Sequence, residues 1–391
     1  MEIKSTRLYF IDALRAWAIL MMLQGHFVDG LLDNTFRDNT NTGYALWKYF
    51  RGMTAPVFFT VSGFIFTYLL LRVPQTGFEN PRVKKGIKRG VELLAIGYLL
   101  RLNLGGLLQG KLYDSFFFVD VLHCIGLSIL GIIGIYLLTY GKKSILFPIV
   151  LVAITLLLFI FEPVYGSTTF SALPDAFANY FTRTNGSVFT IIPWLGYTSF
   201  GAFVSFLFTK YKGHQYLYQW AIGLSVAIGA LLIVLSSDLF VFVFELTGIQ
   251  LFEAISFNNY LFIRLGDVFV AFAIFMLIRN WLTNSTFLKI GQSTLSIYVI
   301  HFIMLYGSLT GFGLYRFFHH SLSPAVAIIG AIVFMIVCSF TALLYEKHKV
   351  SIKGAIKNAF QSTWSAKEPF LRASLSKTKL LLLKLFGPVK N

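Results

Sequence analysis

Charge is scarce in this sequence. Only 13% of its 391 residues are Asp, Glu, Lys or Arg, against about 25% in a soluble globular domain. Acidic residues are the rarest, 17 against 33 Lys and Arg. With 56% hydrophobic residues besides, the chain is neither a soluble globular protein nor a disordered one. Cysteine is nearly absent. Cys124 and Cys338 both lie in apolar runs, which excludes a disulfide framework, and no CxxC or His/Cys spacing suits a metal site. The phosphate-loop pattern GxxxxGK[ST] is also missing.

What charge there is lies in two places. Residues 347–391 hold ten Lys or Arg against Glu368, and residues 72–89 hold Arg72, Arg82, Lys84, Lys85, Lys88 and Arg89 against Glu79. These account for most of the net charge of +16. The excess therefore marks two basic patches on one side of a membrane protein, and nucleic acid is not needed to explain it.

Apolar stretches of roughly 20 residues, each long enough to span a bilayer, recur along the chain. Ten are expected, at approximately 8–31, 51–71, 87–104, 119–140, 144–162, 188–208, 217–236, 259–279, 286–309 and 322–346. The first carries Asp12 and Arg15 and lacks a small-residue cleavage site, so it does not read as a signal peptide. The short basic connections alternate with connections poor in Lys and Arg, and the segment 237–258 has Asp238, Glu245 and Glu253 with no basic residue. This pattern places both termini in the cytoplasm. The expected fold is all-α: a polytopic bundle of about ten spans over residues 1–346, then a basic amphipathic cytoplasmic tail at 347–391. Within the tail, 370–386 mixes apolar and cationic residues and reads as an interfacial helix on anionic lipid.

Ionisable groups within hydrocarbon are costly, so each is a candidate for function. In the first span Arg15 and His26 are eleven residues apart, which puts them within about 20° of one helix face and about 16 Å apart. Asp29 follows His26 by one turn. The third span ends near Arg101 and Asn103, and the fourth begins with Asp120 and His123 at i, i+3. The eighth span carries Arg264 and Asp267, and the ninth carries His301. Counted from the inner ends of their spans, His26 lies at about 27 Å and His301 at about 22 Å. Three histidines, with Asp29, Asp120, Asp267, Arg101 and Arg264, thus lie at similar depth and are expected to line one polar chamber opening outward. A neutral histidine with an adjacent carboxylate suits general acid–base or acyl-transfer chemistry. A structural role for His123 and His301, and a proton relay in a transporter, are the alternatives the residues leave open.

The inner connection NPRVKKGIKRG at 80–90 offers Arg82, Lys84, Lys85, Lys88 and Arg89. Positive-inside bias alone explains such a run. Its functional reading is a dock for a polyphosphate, such as the nucleotide end of coenzyme A. In the second span, Ser62 and Gly63 serve either close helix packing or a backbone wall along a substrate tunnel.

The order of DALR at 12–15, a histidine eleven residues after the arginine, and APVFFTVSGF at 55–64 resembles the opening of the broad acyltransferase-3 family of multi-span membrane enzymes. The segments VDVLHCIGLSIL, IIPWLGYTSFGAF and FLKIGQSTLSIYVIHFIM are similar to the related family named for heparan-α-glucosaminide N-acetyltransferase. The resemblance implies an integral-membrane acyltransferase taking an acyl group, by expectation acetyl, from cytoplasmic acyl-CoA to a sugar or glycan acceptor outside. His26 matches the family's histidine in this span, and Asp12 and Arg15 match its D-x-x-R. On this reading His26 is the base or an acyl relay and Asp29 orients it. Asp120, His123, Arg101, Asp267 and His301 complete the chamber or bind acceptor, and Arg15, Arg82, Lys84, Lys85, Lys88 and Arg89 hold acyl-CoA. No metal and no permanently bound cofactor is expected. The partners are the bilayer, acyl-CoA and the acceptor, and family grounds suggest a bacterial cytoplasmic membrane. The competing class is a proton-coupled transporter or flippase for a polar or glycan-linked solute.

Overall fold

In the computed structural model, which describes residues 8–386 and few side chains beyond 355, the described residues form seventeen α-helices and no named strand. In chain order they are α1 (Tyr9–Leu31), α2 (Thr42–Leu71), α3 (Pro81–Arg101), α4 (Leu104–Leu108), α5 (Val121–Thr139), α6 (Leu146–Ile160), α7 (Glu162–Gly166), α8 (Asp175–Ala178) and α9 (Ile191–Lys210). Then follow α10 (Leu217–Val234), α11 (Ser236–Thr247), α12 (Gln250–Phe257), α13 (Tyr260–Leu277), α14 (Ser285–Gln292), α15 (Thr294–Tyr306), α16 (Leu314–Phe318) and α17 (Pro324–Phe386).

Each expected span falls on a helix or a helix pair. By length and apolar composition, six helices suffice to cross a membrane, or seven if α14 and α15 count as one broken span. The other three positions are occupied by α1, α3 and α6. The first two carry ionisable residues along their length, and α6 has only 15 residues. Two expectations are corrected. The continuous span at 286–309 is broken at Ser293, where α14 and α15 meet at 73°. The connection at 237–258 is largely helical, with α11 and α12 packed on each other. Gly248 joins them with a φ of 67°, a left-handed conformation that glycine takes without steric cost.

The helix starts are legible in local chemistry. Asn41 caps α2 by accepting from the Tyr44 amide. Asn80 caps α3 by accepting from the Arg82 amide, with Pro81 at the first helical position, where its missing N–H costs nothing. Asp120 caps α5 and receives a reciprocal bond, since its own amide donates to His123 Nδ1 at 3.2 Å.

Helix packing then follows from small residues. At the α2–α9 interface Gly63 faces the Thr198 carbonyl and Gly201 faces the Thr60 carbonyl, so closely that a Cβ at either position would collide with backbone. With no apolar solvent effect to drive helices together in lipid, such close approach supplies the van der Waals contact. Of the two readings of Ser62 and Gly63, each residue takes one: Gly63 packs on α9, while Ser62 lines a cavity.

The chain divides into two compact units, residues up to Ser339 and residues from Phe340 onward. The first holds the helices that carry the candidate site. In the second, α17 continues to Phe386, with Lys349 and Glu346 paired at 3.0 Å. The side chains behind the expected lipid-binding role of 370–386, and residues 387–391 altogether, lie outside the described residues.

Candidate active site

Two histidines from distant segments meet within the first unit. His26 Nδ1 of α1 lies 3.1 Å from His301 Nε2 of α15. His301 is fully buried, and His26 is partly accessible. Of the two, His26 is the one a ligand could reach. When His26 Nδ1–H donates to His301 Nε2, His26 Nε2 keeps its lone pair, and this tautomer can accept a proton. Tyr306, at the end of α15, packs its ring 6.2 Å from that of His26 and 6.4 Å from that of His301, centroid to centroid.

The expected orienting carboxylate is displaced. Asp29 pairs with Arg51 of α2, and the backbone carbonyl of Asp29 accepts from Arg37. His301 takes the position beside His26 that the sequence reading gave to Asp29. Residues three apart on a helix are neighbours on its surface, but here the Asp29 carboxylate is taken by Arg51 of α2.

His123 does not join the pair. It is fully buried, with its ring against Tyr98 at 4.5 Å and Tyr180 at 6.3 Å. Its Nδ1 belongs to the α5 cap and lies 3.1 Å from Asp120 Oδ1. Gly97 gives it room, since a Cβ there would strike the imidazole. Asp120 is also paired with Arg101 Nε at 3.1 Å. Thus Arg101, Asp120 and His123 form one linked group fixing α3 to α5. Asp267 is likewise committed: it accepts from the Tyr49 hydroxyl at 2.7 Å and from Arg264 at 2.8 Å, which clamps α2 to α13. The single chamber of three histidines is therefore corrected: His26 and His301 meet, while His123 and Asp267 belong to two separate ion-paired groups.

One cavity adjoins His26 and a second abuts that one. One of about 260 Å³ is lined by His26 together with Arg51, Arg183 and Trp194. A second, of about 330 Å³, is lined by Arg15, Ser62, Arg82, Lys85, Arg89 and Thr294. Phe58 lines both, and the adjacent α5 residues Val121 and Leu122 line one each, so the two cavities abut. Arg15 donates to Thr294 Oγ1 at 3.0 Å, tying α1 to the start of α15 inside this second cleft.

Of the six residues expected to hold acyl-CoA, Arg15, Arg82, Lys85 and Arg89 line that cleft, and Lys84 and Lys88 do not. The helical period explains the division. Positions 82, 85 and 89 share a face at i, i+3 and i+7, whereas 84 and 88 lie on another. Lys88 is 3.9 Å from Glu92 there.

A third cavity, of about 390 Å³, is lined by Arg101, Asn103, Tyr113, Phe302, Tyr306 and Ser308 among others. The helix α15 orders the whole arrangement. Thr294 and Tyr298 face the basic cleft, His301 meets His26, and Phe302 and Tyr306 line the third cavity. From Thr294 to Tyr306 is about 18 Å at the α-helical rise. The sequence reading missed Arg51, Arg183, Phe58 and Tyr306. Arg51 opens an otherwise apolar span and Arg183 is the one basic residue in 163–187. Those were the available signals; nothing in sequence marked Phe58 or Tyr306.

Fold and site together define a class: a polytopic helical membrane protein with a histidine pair, one member of which lines a cavity that abuts a basic cleft. Residues 7–245 match the family described as heparan-alpha-glucosaminide N-acetyltransferase, catalytic, and the chain belongs to that family. Membership makes it an acetyltransferase-type membrane enzyme, of a family whose donor is acetyl-CoA. No curated protein matches the chain. The matched segment holds His26, Arg51, Arg183 and the basic face of α3, while His301 and Tyr306 lie beyond it.

Proposed function

We propose that this protein transfers an acetyl group from acetyl-CoA on the cytoplasmic side to an amine or hydroxyl of a sugar or glycan acceptor on the opposite side, with His26 as general base. The observation that carries the reading is the abutment of the basic cleft and the His26 cavity at Phe58. Arg82, Lys85 and Arg89 form a cationic mouth for the nucleotide phosphates, as Lys and Arg do for polyphosphates generally. The pantetheine arm runs past Arg15 and Ser62 towards His26.

At the histidine pair, the acceptor N–H or O–H gives its proton to His26 Nε2 as its heteroatom attacks the thioester carbonyl. Arg183, a cation lining the same cavity, favours the oxyanion that forms, while Arg51 beside His26 is paired with Asp29. The C–S bond breaks, and the thiolate leaves with the proton held by His26. His301 keeps the imidazole oriented throughout, as an acceptor from Nδ1–H. The broken α14–α15 helix is a feature that transporters also use. One such break among the described residues, in a chain of this family, favours the enzyme.

The test uses the full chain in detergent or nanodiscs with radiolabelled acetyl-CoA and a panel of amino sugars. His26→Ala is expected to lower transfer by about 10²–10⁴-fold, the usual contribution of a general base, while acetyl-CoA binding persists. Transfer at the wild-type rate in His26→Ala refutes the assignment of the base. Absence of acetyl-CoA binding to the wild type refutes the donor reading.

A further inference from the structure

A cavity of about 640 Å³ belongs neither to the histidine pair nor to the basic cleft. It lies between α1, the start of α2 and the first part of α17. On α1 it is lined by Gln24, Val28 and Leu32, which share one face at i, i+4 and i+8. At 100° per residue that face points well away from His26. Along α17 the buried Ala327 and Ala331 leave room for the groove, while Ile328 and Ile332 on its edge are 59% and 49% exposed. The groove is therefore open along its side, and beside a helix long and apolar enough to cross a membrane that side faces lipid.

Its polarity is graded. The end of α1 and the start of α17 are tied together, the Asp33 amide donating to the Leu322 carbonyl at 3.0 Å and the Leu322 amide to the Leu31 carbonyl at 2.9 Å. This end carries the polar rim of Thr35, Asp38 and Asn41. The basic face of α3 begins at the other end, where α2 finishes. From the rim, the lining residues of α17 run from Pro324 to Met335, about 16 Å at the helical rise. That length is close to one leaflet, about 15 Å, half the hydrocarbon core.

Asp38 is the one charged residue in the lining. Its carboxylate accepts from the Thr40 hydroxyl at 2.6 Å and the Thr40 amide at 2.8 Å. These bonds hold it below the usual carboxylate range, so it is ionised at neutral pH. The neighbouring cations are engaged elsewhere: Arg37 donates to the carbonyls of Asp29 and Leu32, and Lys48 donates to Asn39 Oδ1 at 2.9 Å. Lone pairs on the Asp38 carboxylate remain for a cation from outside. Phe36, Tyr44 and Trp47 line the same space. The rings of Tyr44 and Trp47 lie 5.5 Å apart at 33°, and Trp47 is fixed by donating from Nε1 to Gln24 Oε1 at 2.6 Å. Aromatic faces beside a carboxylate attract an alkylammonium group.

We infer that this groove binds one bilayer phospholipid with a primary ammonium head group, its chain along α17 and its ammonium at Asp38. A primary ammonium donates hydrogen bonds to the carboxylate, which a quaternary one has no N–H to do, and an anionic head group meets it with like charge. The lipid fills the space between α17 and the α1–α2 pair. The inference is independent of the acetyl-transfer reading.

The test titrates the purified full chain in detergent with phosphatidylethanolamine, phosphatidylcholine and phosphatidylglycerol of identical acyl chains, and reads bound lipid by native mass spectrometry. The wild type is expected to prefer phosphatidylethanolamine to phosphatidylglycerol by about fivefold, the scale of one exposed charge contact. Asp38→Asn removes the preference, and Asp38→Lys reverses it. Ala331→Phe, which fills the groove, weakens all three lipids by about tenfold. Equal affinity of the wild type for phosphatidylethanolamine and either other lipid overturns the inference, as does a preference that survives Asp38→Asn. Lipid binding unchanged in Ala331→Phe places the lipid elsewhere and has the same force. Asp38 is exposed at the rim, so its two variants carry the test even if Ala331→Phe fails to fold.

Discussion

The helical face of α3 gives the most discriminating test of donor binding. Lys85 and Arg89 line the basic cleft, and Lys84 and Lys88, one residue away from each, do not. The pair Lys85→Gln, Arg89→Gln and the pair Lys84→Gln, Lys88→Gln remove the same charge from the same segment. Both side chains of the first pair are substantially exposed, so each phosphate contact is screened and worth about 1 kcal/mol. Losing two costs about 2 kcal/mol, which corresponds to about a 30-fold rise in the dissociation constant for acetyl-CoA. The outward pair is expected to change it by less than about twofold at the same ionic strength. Isothermal titration or filter binding of acetyl-CoA to the purified protein measures both, at two salt concentrations. The effect of the cleft pair should shrink in high salt, because screening already weakens those contacts. Equal effects of the two pairs would refute the reasoning and return the run at 80–90 to a plain topology signal.

Other outcomes follow from the histidine pair and from the packing. His301→Ala is expected to lower transfer by about 10–100-fold with little change in acetyl-CoA binding. His301→Gln should recover part of the loss, because its side-chain oxygen can again accept from His26 Nδ1–H; equal activity of the two variants, measured as initial rates, would oppose an orienting role. Gly63→Leu drives a side chain into the Thr198 carbonyl of α9 and is expected to cost about 3 kcal/mol or more, read as a lowered unfolding temperature in detergent. A temperature within error of wild type would show that the α2–α9 approach is not tight.

Much of this was legible in sequence because the underlying constraints are local. The apolar runs that place the spans follow from hydropathy within about 20 residues. The eleven-residue spacing of Arg15 and His26 fixes a shared face of α1 through the helical period alone. The sequence reading took Lys84, Lys85, Lys88 and Arg89 as one dock, and the structure put Lys85 and Arg89 on the cleft and Lys84 and Lys88 off it.

Partners across the fold were not legible in this way. His26 and His301 are 275 positions apart, and no periodicity links them. Their meeting depends on how α1 and α15 pack and on the break at Ser293, which sets the direction of α15. Equal depth along separate spans likewise suggested that His123 belonged with them. Depth is one coordinate of three, and His123 instead accepts from the amide of Asp120, the cap of its own helix. Asp29 was given to His26 by sequence proximity, and a cation arriving on α2 claimed it. The sequence by itself determined a membrane-embedded all-α chain, its basic segments and its inventory of buried polar groups, since these follow from hydropathy, period and charge. Only the tertiary structure decided which of those groups face one another, because pairing in a helical bundle is set by helix rotation and close approach at sites such as Gly63, which no single helix specifies.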